Sequence, residues 1–161
     1  MTTAKTAPVR PCVGDVIAAK YRIERLIGEG GMGEVYEAHH LLLNERVALK
    51  TLVGSLATSS ELKLRFLREA QATAKLRNEH VVSIFDVGEL PNGAPYIVME
   101  YLEGHDLANY ATRPKGQPVH EIVDHVLQAS EALAEAHVKG IIHRDLKPSN
   151  LFLTPSRPPP S

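Results

Sequence analysis

Cysteine occurs once, at Cys12, so the chain can form neither an internal disulfide nor a thiolate zinc cage. That usage suits a reducing cytoplasm, which is the expected location. Charge of one sign is also missing: 18 Lys and Arg against 19 Asp and Glu leave a net charge of −1. A general attraction to nucleic acid or to an anionic membrane is thereby excluded, and any phosphate recognition must be local. No run approaches the ~20 apolar residues that span a bilayer. Met1–Pro8 has no apolar core of signal-peptide length, so no membrane segment is expected. Internal repeats are absent. The eight histidines do not fall at ligand spacing: His39 and His40 are adjacent and would point to opposite faces of a strand, and His120 and His125 lack the i, i+4 relation. A structural metal site is not expected. What is present, 43% hydrophobic and 23% charged residues over 161 positions, is a globular balance for one domain or part of a larger one.

Residues 1–14 are polar with two prolines and read as a flexible leader. Tyr21 and Ile23 alternate with Arg22 and Glu24, a strand signal. Gly28 to Gly33 is a glycine turn, and Glu34–His39 alternates again as the returning strand. A turn over 40–45, with Asn44 at its tip, leads to a third strand, Arg46–Leu52. Ser59 or Ser60 could cap a helix running to about Arg77, with Leu62, Phe66, Leu67, Ala70 and Ala74 at helical spacing. Val81–Val87 and Pro95–Leu102 read as strands around a Pro91-Asn92-Gly93 hairpin turn. Asp106 could cap a short helix to about Tyr110, and 113–118 is a loop. A second long helix runs from about Val119 to Val138, stopped by Gly140. Residues 155–161 hold four prolines and read as a disordered tail. The order implies a five-stranded antiparallel sheet with one helix, followed by a mostly helical part.

Three stretches carry chemistry. Gly28-Glu29-Gly30-Gly31-Met32-Gly33-Glu34-Val35 matches G-x-G-x-x-G-x-V, in which glycines let backbone amides approach phosphate oxygens. Alone it is a weak signal, since a dinucleotide-binding turn is a rival. That rival requires a helix directly after the last glycine, and here a strand-like segment follows. Lys50 ends the apolar strand Val47-Ala48-Leu49, where a lysine needs an anion; ATP phosphates would serve, with Glu69 of the first helix steadying the ammonium. Ile142-His143-Arg144-Asp145-Leu146-Lys147-Pro148-Ser149-Asn150 crowds charged and amide groups behind two isoleucines. Asp145 there is placed to accept or orient a hydroxyl proton, help worth ~10²–10⁴ in rate. Lys147 would neutralise a transferring phosphoryl group, and Asn150 would offer Mg²⁺ an amide oxygen. His143 reads as a structural hydrogen-bonding residue.

With these motifs in order, the chain resembles the N-terminal part of a Hanks-type (eukaryotic-like) serine/threonine protein kinase of the bacterial branch, over roughly residues 16–154. The resemblance implies an α+β, protein-kinase-like fold: a five-stranded small lobe with one helix and the start of a helical large lobe. It divides the chain into a leader (1–14), small lobe and hinge (15–103), partial large lobe (104–154) and tail (155–161). It implies ATP and Mg²⁺ as cofactors and a protein with Ser or Thr hydroxyls as substrate; kinase–kinase association is a further expected partnership. Ile27, Gly28, Gly30, Gly33, Val35 and Ala48 would cover the nucleotide, Lys50 and Glu69 would serve its phosphates, and Phe152 would floor the adenine pocket. Met99 takes the gatekeeper place. The backbones of Glu100 and Leu102 would meet the adenine edge, and Asp106 the ribose. Asp145 and Lys147 would be catalytic and Asn150 the metal ligand. Arg144 is similar to an arginine that, in many members, pairs with a phosphorylated activation loop.

The Asp-Phe-Gly motif of that family, expected about a dozen residues after Asn150, is not in the sequence, nor are the activation loop and Ala-Pro-Glu. The chain thus reads as truncated before the main metal ligand. Two readings stay open: a serine/threonine kinase by family, and an inactive remnant that binds nucleotide or acts as an interaction module. The apolar face of helix 119–138 would normally pack on helices beyond those present, so that part is expected to be loose while the small lobe folds.

Overall fold

The computed structural model describes residues 10–31, 33–111 and 118–155. Most of the stretches read as leader and tail, most of the 113–118 loop, and Met32 lie outside them. The chain divides into two compact units. The first holds the described residues up to Lys75 together with Val82–Tyr101; the second holds Leu76–Val81 and the described residues from Leu102 onward.

The first unit is an antiparallel sheet: β1 (Val16–Ile17), β2 (Tyr21–Gly30), β3 (Gly33–His40), β4 (Glu45–Thr51), β5 (Ile84–Glu89) and β6 (Pro95–Glu100), in the order β1-β2-β3-β4-β6-β5. The sheet therefore has a sixth strand beyond the five expected. β1 is two residues long, too short for alternation to betray it, and pairs through Val16↔Arg22 and Ile17↔Tyr21. The start of β2, β3 after Gly33, and β5 follow the period-2 pattern, whereas β4 and β6 are buried at successive residues over 47–49 and 95–98. One sheet face fills a core in which Tyr21, Ile23, Tyr36, Ala38, Val47, Leu49 and Val98 are all buried. The sheet curls around this core. The Tyr21 hydroxyl of β2 donates to Asp86 Oδ2 of β5 at 2.9 Å, joining strands from opposite halves of the sheet. Burial, and then that bond, push the Tyr21 phenol well above its ordinary range, so it stays a donor.

One helix, α1 (Ser60–Thr73), packs on this unit through buried Phe66 and Ala70. Ser59 caps it, its Oγ accepting from Leu62 N at 3.3 Å. A 3₁₀ turn, Gly54–Thr58, precedes it. The helix ends four residues before Arg77, and Leu76–Val81 belong to the second unit. At the hairpin of Pro91-Asn92-Gly93, Gly93 has φ +75° and its N–H donates to Leu90 O.

The second unit contains β7 (His105–Asp106), α2 (Leu107–Ala111), α3 (Val119–Val138) and β8 (Phe152–Leu153). β7 and β8 pair antiparallel through His105↔Leu153 and Asp106↔Phe152. Gly104 makes this possible: its φ is +137°, and a Cβ there would lie 1.9 Å from Leu153 O. α3 ends in a Schellman motif, with Ile141 N donating to Ala136 O and Gly140 N to His137 O, Gly140 at φ +71°. Within the unit α3 is held by Glu135, which accepts from Arg77 N at 2.7 Å, and by His80 Nε2, 3.4 Å from Glu131 Oε2. Tyr110 of α2 donates to Glu121, stacks on His105 and meets the His125 ring edge-on. The apolar stripe of α3 is largely solvent-facing, with Val119, Val123, Val126 and Leu127 exposed.

Candidate ATP-binding strands and catalytic loop

Cross-strand partners share a sheet face, and so do alternate residues along a strand. Gly28 pairs with Val35, Val35 with Lys50, and Lys50 with Ile97. Glu37 pairs with Ala48, and Ala48 with Met99. Gly28, Val35, Ala48, Lys50 and Met99 therefore lie on one face, opposite the face of Tyr36, Leu49 and Val98. Ile27 is the unpaired residue of a bulge between Leu26 and Gly28, and is exposed. Glu100 ends β6, where its N–H donates to Ser83 O at 2.9 Å.

Of the motif glycines, Gly33 has the tightest surroundings. Its φ is +145°, and a Cβ would lie 2.1 Å from Thr51 O. Gly30 pairs with it across the turn and has open space around it. The segment is strand–turn–strand, so the helix that a dinucleotide-binding turn requires is not there.

Lys50 and Glu69 do not pair in this structure. Glu69 Oε1 lies 3.1 Å from Arg65 Nε, one helical turn earlier, and the Lys50 ammonium lies 5.8 Å from the centre of the Phe66 ring. The i, i+4 spacing keeps Arg65 within reach of Glu69 whatever the helix does, whereas the lysine is reached only by a particular helix orientation. Arg65 and Glu69 border a mostly apolar cavity of about 90 Å³ that also touches Gly31, Leu52 and Phe66. Arg65 was visible in the sequence as the cation four residues before the expected acid. Another group that sequence reasoning missed is Arg25: its Nη2 lies 2.7 Å from Glu37 Oε2 and donates to the Tyr101 hydroxyl at 3.1 Å, while Arg46 stacks on the same ring.

In the second unit, residues 142–150 form an open loop. Arg144 takes φ +62°, and Pro148–Asn150 make a 3₁₀ turn with proline at its start. The turn brings three side chains together. Lys147 Nζ lies 2.9 Å from Asp145 Oδ2, and Asn150 Nδ2 donates to Asp145 O at 2.7 Å and to Oδ2 at 3.2 Å. His143 Nδ1 accepts from Asp145 N at 3.3 Å. The Lys147 and Asn150 contacts, in that order, lower the Asp145 pKa below the usual carboxylate value. The pairing of β7 with β8 sets Asp106 opposite Phe152, directly after this loop. Asp106 caps α2: its Oδ1 accepts from Asn109 N at 2.8 Å and its Oδ2 from Asn109 Nδ2 at 2.6 Å, and the backbone bond foremost lowers its pKa. Leu102 opens the same unit and Phe152 is half-exposed.

Among the described residues no group of three or more His, Cys, Asp or Glu side chains could hold a metal ion. Mg²⁺ takes oxygen ligands and usually keeps only one or two from protein, with phosphates and water supplying the rest. Asn150 fits as one such ligand. Its Nδ2 is spent on Asp145, which leaves Oδ1 facing no described donor.

The protein kinase domain model matches residues 21–158. The serine/threonine-protein kinase pkn3 of Myxococcus xanthus is 43% identical over 148 residues, 92% of this chain and 27% of that protein. PrkC of Bacillus subtilis is 41% identical over 143 residues, 88% of this chain and 22% of that protein. The crystal structure of the PknI kinase domain of Mycobacterium tuberculosis superposes with a TM-score of 0.79 at 34% identity, covering 92% of this chain and 59% of that one. The chain thus spans about a quarter of the length of these curated relatives. Among its described residues no helix is long and apolar enough to cross a membrane. A glycine turn between strands, a lysine on the same sheet face, and an Asp–Lys–Asn loop agree with these likenesses: the chain belongs to the protein kinase domain family.

Proposed function

We propose that this chain carries the ATP-binding strands and the catalytic loop of a serine/threonine protein kinase, which transfers the γ-phosphoryl group of ATP to Ser or Thr hydroxyls of a protein. The observation that carries the reading is Asp145 gripped by Lys147 at 2.9 Å and by Asn150 through two hydrogen bonds. Asp145 is ionised at neutral pH and only weakly basic, since its partners favour the charged form. That suits it to orient a hydroxyl and to take its proton as the oxygen bonds to phosphorus. Lys147 offsets charge on the transferring group. In the first unit, the backbone of Gly28–Gly33 would meet phosphate oxygens and Lys50 would supply their counter-charge, with Glu69 steadying it once it leaves Arg65. Val35, Ala48, Met99 and Ile27 are apolar and would cover the base, whose polar edge would meet the backbones of Glu100 and Leu102. Phe152 would line the base, and Asp106 would reach the ribose. Mg²⁺, when bound, would screen the phosphate charge, with Asn150 Oδ1 among its ligands. A cytoplasmic location accords with the reading.

Two measurements on the 161-residue chain test it. Mg·ADP should bind, with affinity lost on Lys50→Ala; equal binding by both proteins would sink the nucleotide reading. Transfer of γ-phosphate to a Ser/Thr protein acceptor, compared with Asp145→Asn, decides the rest. Binding without transfer above that control would favour the second reading, a nucleotide-binding or interaction module.

A further inference from the structure

Glu34 follows Gly33 of the glycine turn, and its side chain is 1% exposed on the core face of β3. A carboxylate so buried must be met by charge and hydrogen bonds. Two groups meet it. The Tyr36 hydroxyl donates to Oε2, and burial of that phenol, together with this bond, keeps it protonated. Arg10 Nη1 lies 2.8 Å from Oε1, an oxygen that no aligned hydrogen bond reaches among the described residues. The guanidinium charge is therefore what balances that side of the carboxylate.

Arg10 is not a dangling terminus. Pro11 beside it is buried. Cys12 N donates to Asp15 Oδ2 at 2.8 Å, and Asp15 N to Cys12 O at 3.0 Å, which closes a turn. That turn is sewn to β2 twice: Gly14 N donates to Ile23 O at 2.8 Å, and Ile23 N to Asp15 O at 2.9 Å. On the other side, Gly33 has no slack against Thr51 O, so a displaced Glu34 would carry Gly33 with it.

We propose that Arg10 is a positioning residue for the glycine turn: residues 10–15 form a strap whose guanidinium balances buried Glu34 and fixes the strand that carries Gly33. The consequence, which rests on reading Gly28–Gly33 as the phosphate-binding turn, is that nucleotide affinity depends on a side chain that touches no nucleotide.

The test uses the 161-residue chain with Arg10→Ala, Arg10→Lys, Glu34→Gln and the double variant Arg10→Ala/Glu34→Gln. The readouts are amide exchange at Gly33–Tyr36 and Mg·ADP affinity, with Lys50→Ala as the control. Arg10→Ala is expected to speed exchange at those amides and to weaken ADP binding by about tenfold, and Arg10→Lys to do less, since it keeps the charge. The double variant is expected to return to within about twofold of Glu34→Gln alone, because a neutral amide needs no counter-charge. Unchanged exchange in Arg10→Ala, or a loss that Glu34→Gln does not repair, would overturn the proposal. Altered exchange with unaltered ADP affinity would overturn its functional half, provided Lys50→Ala abolishes binding. If Lys50→Ala binds like the parent chain, the nucleotide reading fails instead, and exchange alone decides the strap.

Discussion

Glu69 takes its cation from its own helix: Arg65 Nε lies 3.1 Å from Oε1, and Lys50, the partner that the motifs assign to Glu69, rests against Phe66. For Lys50 and Glu69 to meet, the Arg65 contact must break. Exposed i, i+4 pairs are worth about 0.3–0.5 kcal/mol, and a cation placed before its acid is the weaker order. Arg65→Ala is therefore expected to strengthen Mg·ADP binding by no more than about twofold. Arg65→Lys should leave it unchanged, and in a Glu69→Gln background Arg65→Ala should make no difference. Calorimetric titration of the five proteins checks this, and weaker binding by Arg65→Ala would mean that Arg65 does not compete.

Asp145 provides a pH test. Its folded-state pKa is depressed, chiefly by Lys147 and then by Asn150. The stabilisation from these contacts is therefore fully present above the unfolded carboxylate pKa, and is lost as pH falls through the lower, folded value. Lys147→Ala should raise the Asp145 titration midpoint toward the ordinary carboxylate value, and Asn150→Ala should raise it less. Carboxyl NMR titration reads both, and an unmoved midpoint in Lys147→Ala would contradict the contact.

Gly33→Ala combines a disfavoured φ of +145° with a Cβ driven to 2.1 Å from a backbone carbonyl. A loss of at least about 1–3 kcal/mol is expected. Gly30→Ala meets open space and should cost less. Urea unfolding of both variants separates them.

Burial separates two leucines. Leu49 is fully buried in the sheet core, and Leu127 is 56% exposed on α3. Leu49→Ala should cost about 2–5 kcal/mol, and Leu127→Ala less than about 1 kcal/mol. Similar losses would show that the α3 face is covered in solution.

Much of this was legible in the residue order. Alternation through Tyr21 and Ile23 and through Glu34–His39 marked β2 and β3, because one face of each strand fills a core. Ser59 and Gly140 marked helix ends through capping chemistry that is local to the chain. The Asp145–Lys147–Asn150 cluster was legible because proline starts a turn tight enough to close it within six residues.

Non-local choices were not legible. β1 is too short to show a period. The pairing of Asp106 with Phe152 joins segments far apart in sequence, and it depends on Gly104 letting two backbones touch. The family, the longer strands and helices and the candidate site residues were thus legible in the sequence itself, since spacing and backbone preference act over a few residues. Which cation Glu69 holds and what balances Glu34 were decided only by tertiary structure, because an ion pair depends on distance and burial after packing, and neither is a property of spacing.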